Sequence, residues 1–381
     1  MTPRERVRLA LEHRETDRVP ADLGSTQNTS ITRFAYKRLR SYLELPPVEP
    51  RIMSENLQVV HVDEDVRQAL GIDTIGLPCK PPDVSRKRML GDHHYVNEWG
   101  IELKGARIDG RLLYFEAISS PLANLTDPRE LDDVQWPDPH DPGRYRGLRE
   151  EARRIHEETP YALVGHNGDT SLFQKITYLR GMESSLIDSI ANPDLFSAII
   201  ERILKVQMAR MGHYLDAVGE YLDVVSVGDD LGSQQGLLMS PDTYRAVIKP
   251  FHAELFSFIK GRTAAKLHMH CCGSIAEVIP DLMELGVDVI NPVQIAAVGM
   301  EPRSLKKRFG DRIAFWGGID TQGLLPTGDT GQVQAEVDRI VSILGADGGY
   351  VLNPSHNIQA DVPPENVVAL FQRSRHLDCP A

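Results

Sequence analysis

The sequence predicts an α/β protein, a single (β/α)8 TIM barrel over residues 1–381 with an N-terminal extension and a β-hairpin insertion at about 84–120. Three observations carry that expectation. From Tyr161 onward short apolar runs alternate with helical stretches, the mark of βαβ units and a parallel sheet. Six such runs, added to two nearer the N-terminus, make eight, the number that closes a barrel. The runs end in polar clusters, and a barrel gathers the C-terminal ends of its strands on one face, where active sites are built. A doubly wound open sheet competes, but no predicted strand runs into a GxGxxG turn.

Taken in order, the first helix is Pro3 to His13, with Thr2 as N-cap and a proline at the first helical position. RVPADLG, ending at Gly24, is the first strand candidate, and GIDTIGLP, from Gly71, the second. Residues 84–120 alternate polar and apolar side chains around Gly105 and Asp109-Gly110, so an antiparallel hairpin is expected there. The segment PLANLTDPRELDDVQWPDPHDPGRY reads as a connector rich in proline and aspartate. Strands are expected at 161–168, 224–230, 264–272, 288–294, 313–320 and 348–356. Helical patterns separate them, including MESSLIDSIANPDLFSAIIERILKVQMARMGHYLDAV, and PPENVVALFQRSRH closes the series.

Composition narrows the function classes. Hydrophobic residues make up 41% and charged residues 25%, a globular balance. Asp and Glu total 54 against 42 Lys and Arg, a net charge of −12, which argues against a surface that tracks nucleic-acid phosphates. No apolar run approaches the roughly 20 residues that span a bilayer, and the charged opening MTPRERVRLALEHRETDRVP has no signal-peptide core. Neither nucleic acid nor membrane is therefore expected as a partner, and the cytoplasm is the expected location. Cys79, Cys271, Cys272 and Cys379 are too few for a disulfide framework in a chain this long.

LHMHCCGSI is the strongest chemical signal. Alternation along a strand puts His268, His270 and Cys272 on one face and Met269 and Cys271 on the other. Imidazole and thiolate two residues apart near a strand end can share a zinc ion, and Gly273 lets the chain turn into the next helix. Simple packing of a buried strand that bears His and Cys is the competing reading. His356, at the end of the last strand, is a candidate third ligand, because a ring of strands brings it near. Its competing reading is a hydrogen-bonded turn histidine. Asp229 and Asp230 also alternate, so one of them is expected to face the site as a base, a cation ligand or a group that orients an imidazole. N-capping of the adjoining turn competes with those roles. Asp320 in GGID carries the same two readings, and the glycines before it fit close approach to a ligand or a plain turn. His166, Asn167 and Gln294 end other strands and are expected to touch substrate. His93, His94 and His140 fall on loop or hairpin surface and receive no role.

At these residues the chain resembles the uroporphyrinogen decarboxylase superfamily, and the likeness runs from TPRERVRLALEHRETDRVP to PPENVVALF. The GxD turn at Gly71 to Asp73, DDLGSQ, MSPDTYRAVIKPFH, GGID and PPEN all share in it. Members of that superfamily are (β/α)8 barrels. Its decarboxylases carry an arginine-rich motif after the first strand and an aspartate shortly after the GxD turn. Here those places read DLGSTQNTS and TIGLPCK, so the resemblance does not extend to tetrapyrrole decarboxylation. Its corrinoid-linked methyltransferases carry HxCG on a barrel strand, and HCCG, from His270 to Gly273, is similar to it. Where that branch has a cysteine on the last strand, this chain has His356.

The resemblance implies zinc held by His270, Cys272 and His356, with Asp230 and Asp229 as acid/base or orienting groups. It implies a methyl group moved between a small molecule and a corrinoid (cobalamin) carried by a separate partner protein. A His2Cys site leaves zinc one charge unit more positive than HisCys2 does, because each thiolate cancels one unit. The more positive ion is the stronger Lewis acid, suited to polarising an ether or phenolic oxygen. Demethylation of a methoxylated small molecule is thus the expected reaction. Two other readings stand beside it. One is a metal-free, decarboxylase-like lyase acting on a small carboxylic acid, with His356 and a carboxylate as acid and base. The other is a barrel that binds a tetrapyrrole or corrinoid without turnover.

Overall fold

The structure, a computed structural model, describes residues 1–108 and 110–375. Asp109 of the expected turn and Cys379 lie outside the described residues. Seven parallel strands form one curled sheet in the order Tyr350–Pro354, Ala314–Ile319, Val289–Asn291, Lys266–His270, Val224–Gly228, Ala162–His166 and Thr74–Pro78. The eighth position belongs to the segment around Ala21, which bridges Leu352 in parallel. Asp22 N–H donates to the Leu352 carbonyl (2.9 Å), Leu352 N–H to the Pro20 carbonyl (2.8 Å) and Asp73 N–H to the Ala21 carbonyl (2.9 Å). Pro20 has no N–H to give, so side chains reinforce this wall. The Asp73 carboxylate accepts the Ala21 N–H at 2.8 Å and also binds Arg6 and Arg18. The barrel expected from RVPADLG and GIDTIGLP is thereby closed.

Alternation within each strand fills the barrel. Ala162, Val164, Val224, Val289, Ala314, Trp316 and Val351 pack in its interior, with Val7 and Leu11 of the first helix against them. Ala162, Val224 and Ala314 begin their strands, so that helix plugs the N-terminal end of the barrel. It runs Pro3–Leu11 from a capping box made by Thr2 and Glu5. It stops two residues before the expected His13, whose φ of 55° is not helical. The remaining helices wrap the outside and enclose the larger core between themselves and the sheet. The long helical pattern after Arg180 is two helices, Met182–Ala191 and Pro193–Val218, because Pro193 lacks an N–H and begins a new helix. No helix among the described residues is long and apolar enough to cross a membrane.

The insertion is larger than the expected hairpin. Arg88–Gly91, His94–Val96, Glu102–Ile108 and Arg111–Ser119 form a four-stranded antiparallel sheet in sequence order. Asn97 makes one of the two additional turns, its Oδ1 accepting the N–H groups of Trp99 (2.9 Å) and Ile101 (3.1 Å). Tyr95, Trp99, Ile101, Leu103, Leu112 and Phe115 are buried, so one face of this sheet joins the core.

Candidate functional site

The C-terminal ends of the strands bring together residues far apart in the chain. His270 ends the Lys266–His270 strand, Cys272 lies two residues on, and His356 comes just after Tyr350–Pro354. One ligand atom from each lies within 4.8 Å of the others. His270 is held from behind: its Nδ1 is 2.5 Å from Asn291 Oδ1, and Asn291 Nδ2 donates to the Trp316 carbonyl at 2.9 Å. With the amide nitrogen committed to a carbonyl, Asn291 offers only an acceptor, so His270 carries its proton on Nδ1 and presents the Nε2 lone pair forward. That Nε2 lies 3.3 Å from Cys272 Sγ, and the His270 and His356 rings meet edge to face with centroids 5.5 Å apart. Asp230 completes the group. Its Oδ1 accepts the Cys272 N–H at 2.9 Å and lies 3.9 Å from His270 Nε2, while Oδ2 accepts from Gln174 Nε2 at 2.8 Å.

The donor set fits zinc. Two imidazoles and a thiolate are ligands that zinc prefers, and tetrahedral bonds of about 2.0 and 2.3 Å would set nitrogen and sulfur roughly 3.5 Å apart. Burial pushes the His356 imidazole down to about 4, which keeps it neutral and able to ligate. Burial, then the Asp230 charge, pushes the Cys272 thiol well above its usual range, so a metal binding there has to displace a proton. His268 shares the inward face but sits one layer deeper, its Nδ1 2.9 Å from Ser226 Oγ and its ring edge-on to Trp316. Cys271 faces the other way and is buried, with its sulfur 3.4 Å from the Leu231 N–H. The packing reading therefore holds for His268 and Cys271.

Two cavities meet at this group. The larger, about 640 Å³, is bounded by His166, Asp230, His270 and His356 on the barrel side and by Ile101 and Phe115 of the insertion sheet. The smaller, about 320 Å³, is lined by Cys272, Gln294, Asp320, Ser355 and again His356. His166 is 4% exposed, neither of its ring nitrogens has a partner, and burial pushes its imidazole down to about 4. Asn167 is equally buried with an unpartnered amide but lines neither cavity.

The other expected site residues are engaged with backbone. Asp229 caps the helix Phe173–Arg180, accepting the N–H groups of Leu172, Phe173 and Gln174 at 2.7–3.0 Å, and meets His252 Nε2 at 3.0 Å. Asp320 likewise accepts the N–H groups of Gln322, Gly323 and Leu324. Gln294 accepts the Gly273 N–H at 2.9 Å and so steadies the turn behind Cys272. Gly273 has φ of 87°, and a Cβ there would fall 2.5 Å from the Gly232 carbonyl carbon. In GGID, a Cβ on Gly317 would fall 1.8 Å from the Pro292 carbonyl oxygen, so this glycine serves backbone approach rather than a ligand. Sequence reasoning gave no role to Gln174, Asn291 or Ser226. Asn291 carried the one available signal, a polar residue at a strand end, but its service to His270 depends on which strand is the neighbour.

A protein-family model described as Uroporphyrinogen decarboxylase (URO-D) matches residues 115–377. The uroporphyrinogen decarboxylase of Wolinella succinogenes is 24% identical over 238 residues, covering 61% of this chain and 64% of that protein. That of Acidiphilium cryptum is 27% identical over 221 residues, covering 57% and 54%. The chain thus spans less than two thirds of the length of these two curated relatives. A solved structure, the methyltransferase from Methanosarcina mazei, matches with a TM-score of 0.64 at 18% identity and covers 98% of both chains, which is a likeness of fold.

Proposed function

The chain belongs to the uroporphyrinogen decarboxylase family, and from that membership we propose that it is a zinc-dependent methyltransferase moving a methyl group between a small molecule and a corrinoid protein. The observation that carries the reading is the convergence of His270, Cys272 and His356 at the open end of the barrel. The methyltransferase from Methanosarcina mazei supports it as a precedent on the same fold. We read the barrel and its insertion as one domain.

In this reading His270, Cys272 and His356 hold the metal, and Asn291 fixes the ring of the first. Zinc bound there supplies Lewis acidity toward an ether or phenolic oxygen, the more so because two of its ligands are neutral imidazoles. A methoxylated substrate enters from the larger cavity, with His166 among its contacts. Asp230 is the acid/base group, since it alone of the two aspartates stands beside the donors. Gln294 and Asp320 brace the turns beside the smaller cavity that they line. The corrinoid comes on a separate protein. A lyase reading, prompted by the names of the curated relatives, wants cations to pair substrate carboxylates. The larger cavity has no arginine among its described lining residues, and its one lysine, Lys175, is bonded to Asp169.

Metal analysis of the purified protein after zinc has been offered tests the proposal. Near-stoichiometric zinc that falls in both Cys272→Ala and His356→Ala is the expected result. A protein that takes up none overturns it, and zinc retained in full by His356→Ala removes the ligand-charge argument for demethylation. Methyl transfer is then read from the visible spectrum of a reduced corrinoid protein mixed with a methoxylated donor.

A further inference from the structure

Deepening the methyl-transfer reading, on which it rests only for the identity of the reacting group, we infer that the larger cavity binds an uncharged ring compound through a hydroxyl group seated at His166 and rejects the matching carboxylate.

The charge of the wall is the first support. Glu116, Asp169, Asp229 and Asp230 line the cavity, and Lys175 is the single Lys or Arg among its described lining residues. Lys175 Nζ is bonded to Asp169 and lies 4.9 Å from the centre of the Trp99 ring, so it is already occupied. Even with the one net positive charge of a zinc held by two imidazoles and a thiolate, the side chains lining the cavity leave it negative, so a carboxylate entering here meets an excess of negative charge and no free cationic fork.

The second support is His166 itself. It is buried, it lines the cavity, and both ring nitrogens lack partners. A neutral imidazole has one donor and one acceptor nitrogen, and a hydroxyl both gives and takes a hydrogen bond, so it can pair with the ring nitrogen it meets in either tautomer. A carboxylate only accepts and serves one tautomer. A buried polar group left without a partner is costly, so the hydroxyl recovers what a bare ring would forfeit. Tyr114, Phe115 and Tyr178 in the same wall offer aromatic faces to the ring, and about 640 Å³ is ample for one.

Calorimetric titration of the zinc-loaded protein, without any methyl acceptor, tests this with three matched probes: 4-methoxybenzyl alcohol, 4-methoxytoluene and 4-methoxybenzoate. The alcohol is expected to bind about tenfold more tightly than either of the others. His166→Phe should erase its advantage over 4-methoxytoluene. His166→Gln, which keeps a donor and an acceptor, should retain it and stands as the informative variant if His166→Phe does not fold. Equal or tighter binding of the benzoate, an alcohol advantage that survives in His166→Phe, or no binding of any probe overturns the inference. An alcohol that binds as expected but never yields its methyl group to a corrinoid overturns the methyl-transfer reading and leaves this one standing.

Discussion

Asp229 and Asp230 are neighbours in sequence beyond the same strand, yet they are held by different parts of the molecule. Asp229 is spent on the backbone N–H groups of residues 172–174 and on His252, whereas Asp230 holds the Cys272 N–H and faces His270. Asp229→Ala should therefore cost roughly 2–3 kcal/mol of stability, from a lost helix cap and an unpaired Nε2 on the buried His252, whose Nδ1 keeps Tyr244. Asp230→Ala should change the urea midpoint little and weaken zinc retention instead. Similar shifts in both properties for both variants would contradict the division. Asn291→Ala, which frees the His270 ring to turn, should lower zinc affinity by about 10–100-fold in a chelator competition. That only one aspartate of the pair would reach the His270–Cys272 group was legible from alternation. Which one was not, because the choice depends on backbone donors more than fifty residues upstream in the chain.

At the scale of elements, the insertion shows how far periodicity reaches. Alternating residues and a Gly-containing turn predicted antiparallel strands at 84–120, and a sheet stands there. Nothing in a period of two states how many strands pair, or that Phe115 both anchors the sheet and walls the larger cavity. Phe115 is 8% exposed and packs against Tyr95 with ring centroids 5.1 Å apart. Phe115→Ala should cost roughly 3–5 kcal/mol of stability, and Phe115→Leu less than about 1.5 kcal/mol. Binding of a ring compound in the larger cavity should weaken in both. Denaturant titration and calorimetry check the pair, and unchanged ring binding in Phe115→Leu would show that the aromatic wall is not used.

Across the whole molecule, the open end of the barrel carries buried imidazoles as a group. Burial holds His166 and His356 at about 4 and His268 at about 3. The unfolded chain takes up these protons near pH 6.5, while the folded protein resists until about pH 4. Proton uptake by the unfolded state therefore favours unfolding as pH falls, so metal-free stability should be full above about pH 6.5 and decline toward pH 4. His166→Gln should remove its share of that slope, up to about 1.4 kcal/mol per pH unit, as urea midpoints at pH 7 and 5 would register. The order of residues was enough to set the alternation of strand and helix, the eight strand positions, the cap at Thr2, and the polar strand ends that a barrel must gather on one face. Those are local properties, governed by side-chain periodicity and backbone propensity within a few residues. It took the folded chain to make Asn291 orient His270, to turn Asp229 into a cap, to lay His268 beneath the donor group, and to wall the cavity with a sheet from residues 88–119. Each of those is a contact between segments distant in the chain, and its partner is chosen by the register and closure of the ring rather than by any neighbour in sequence.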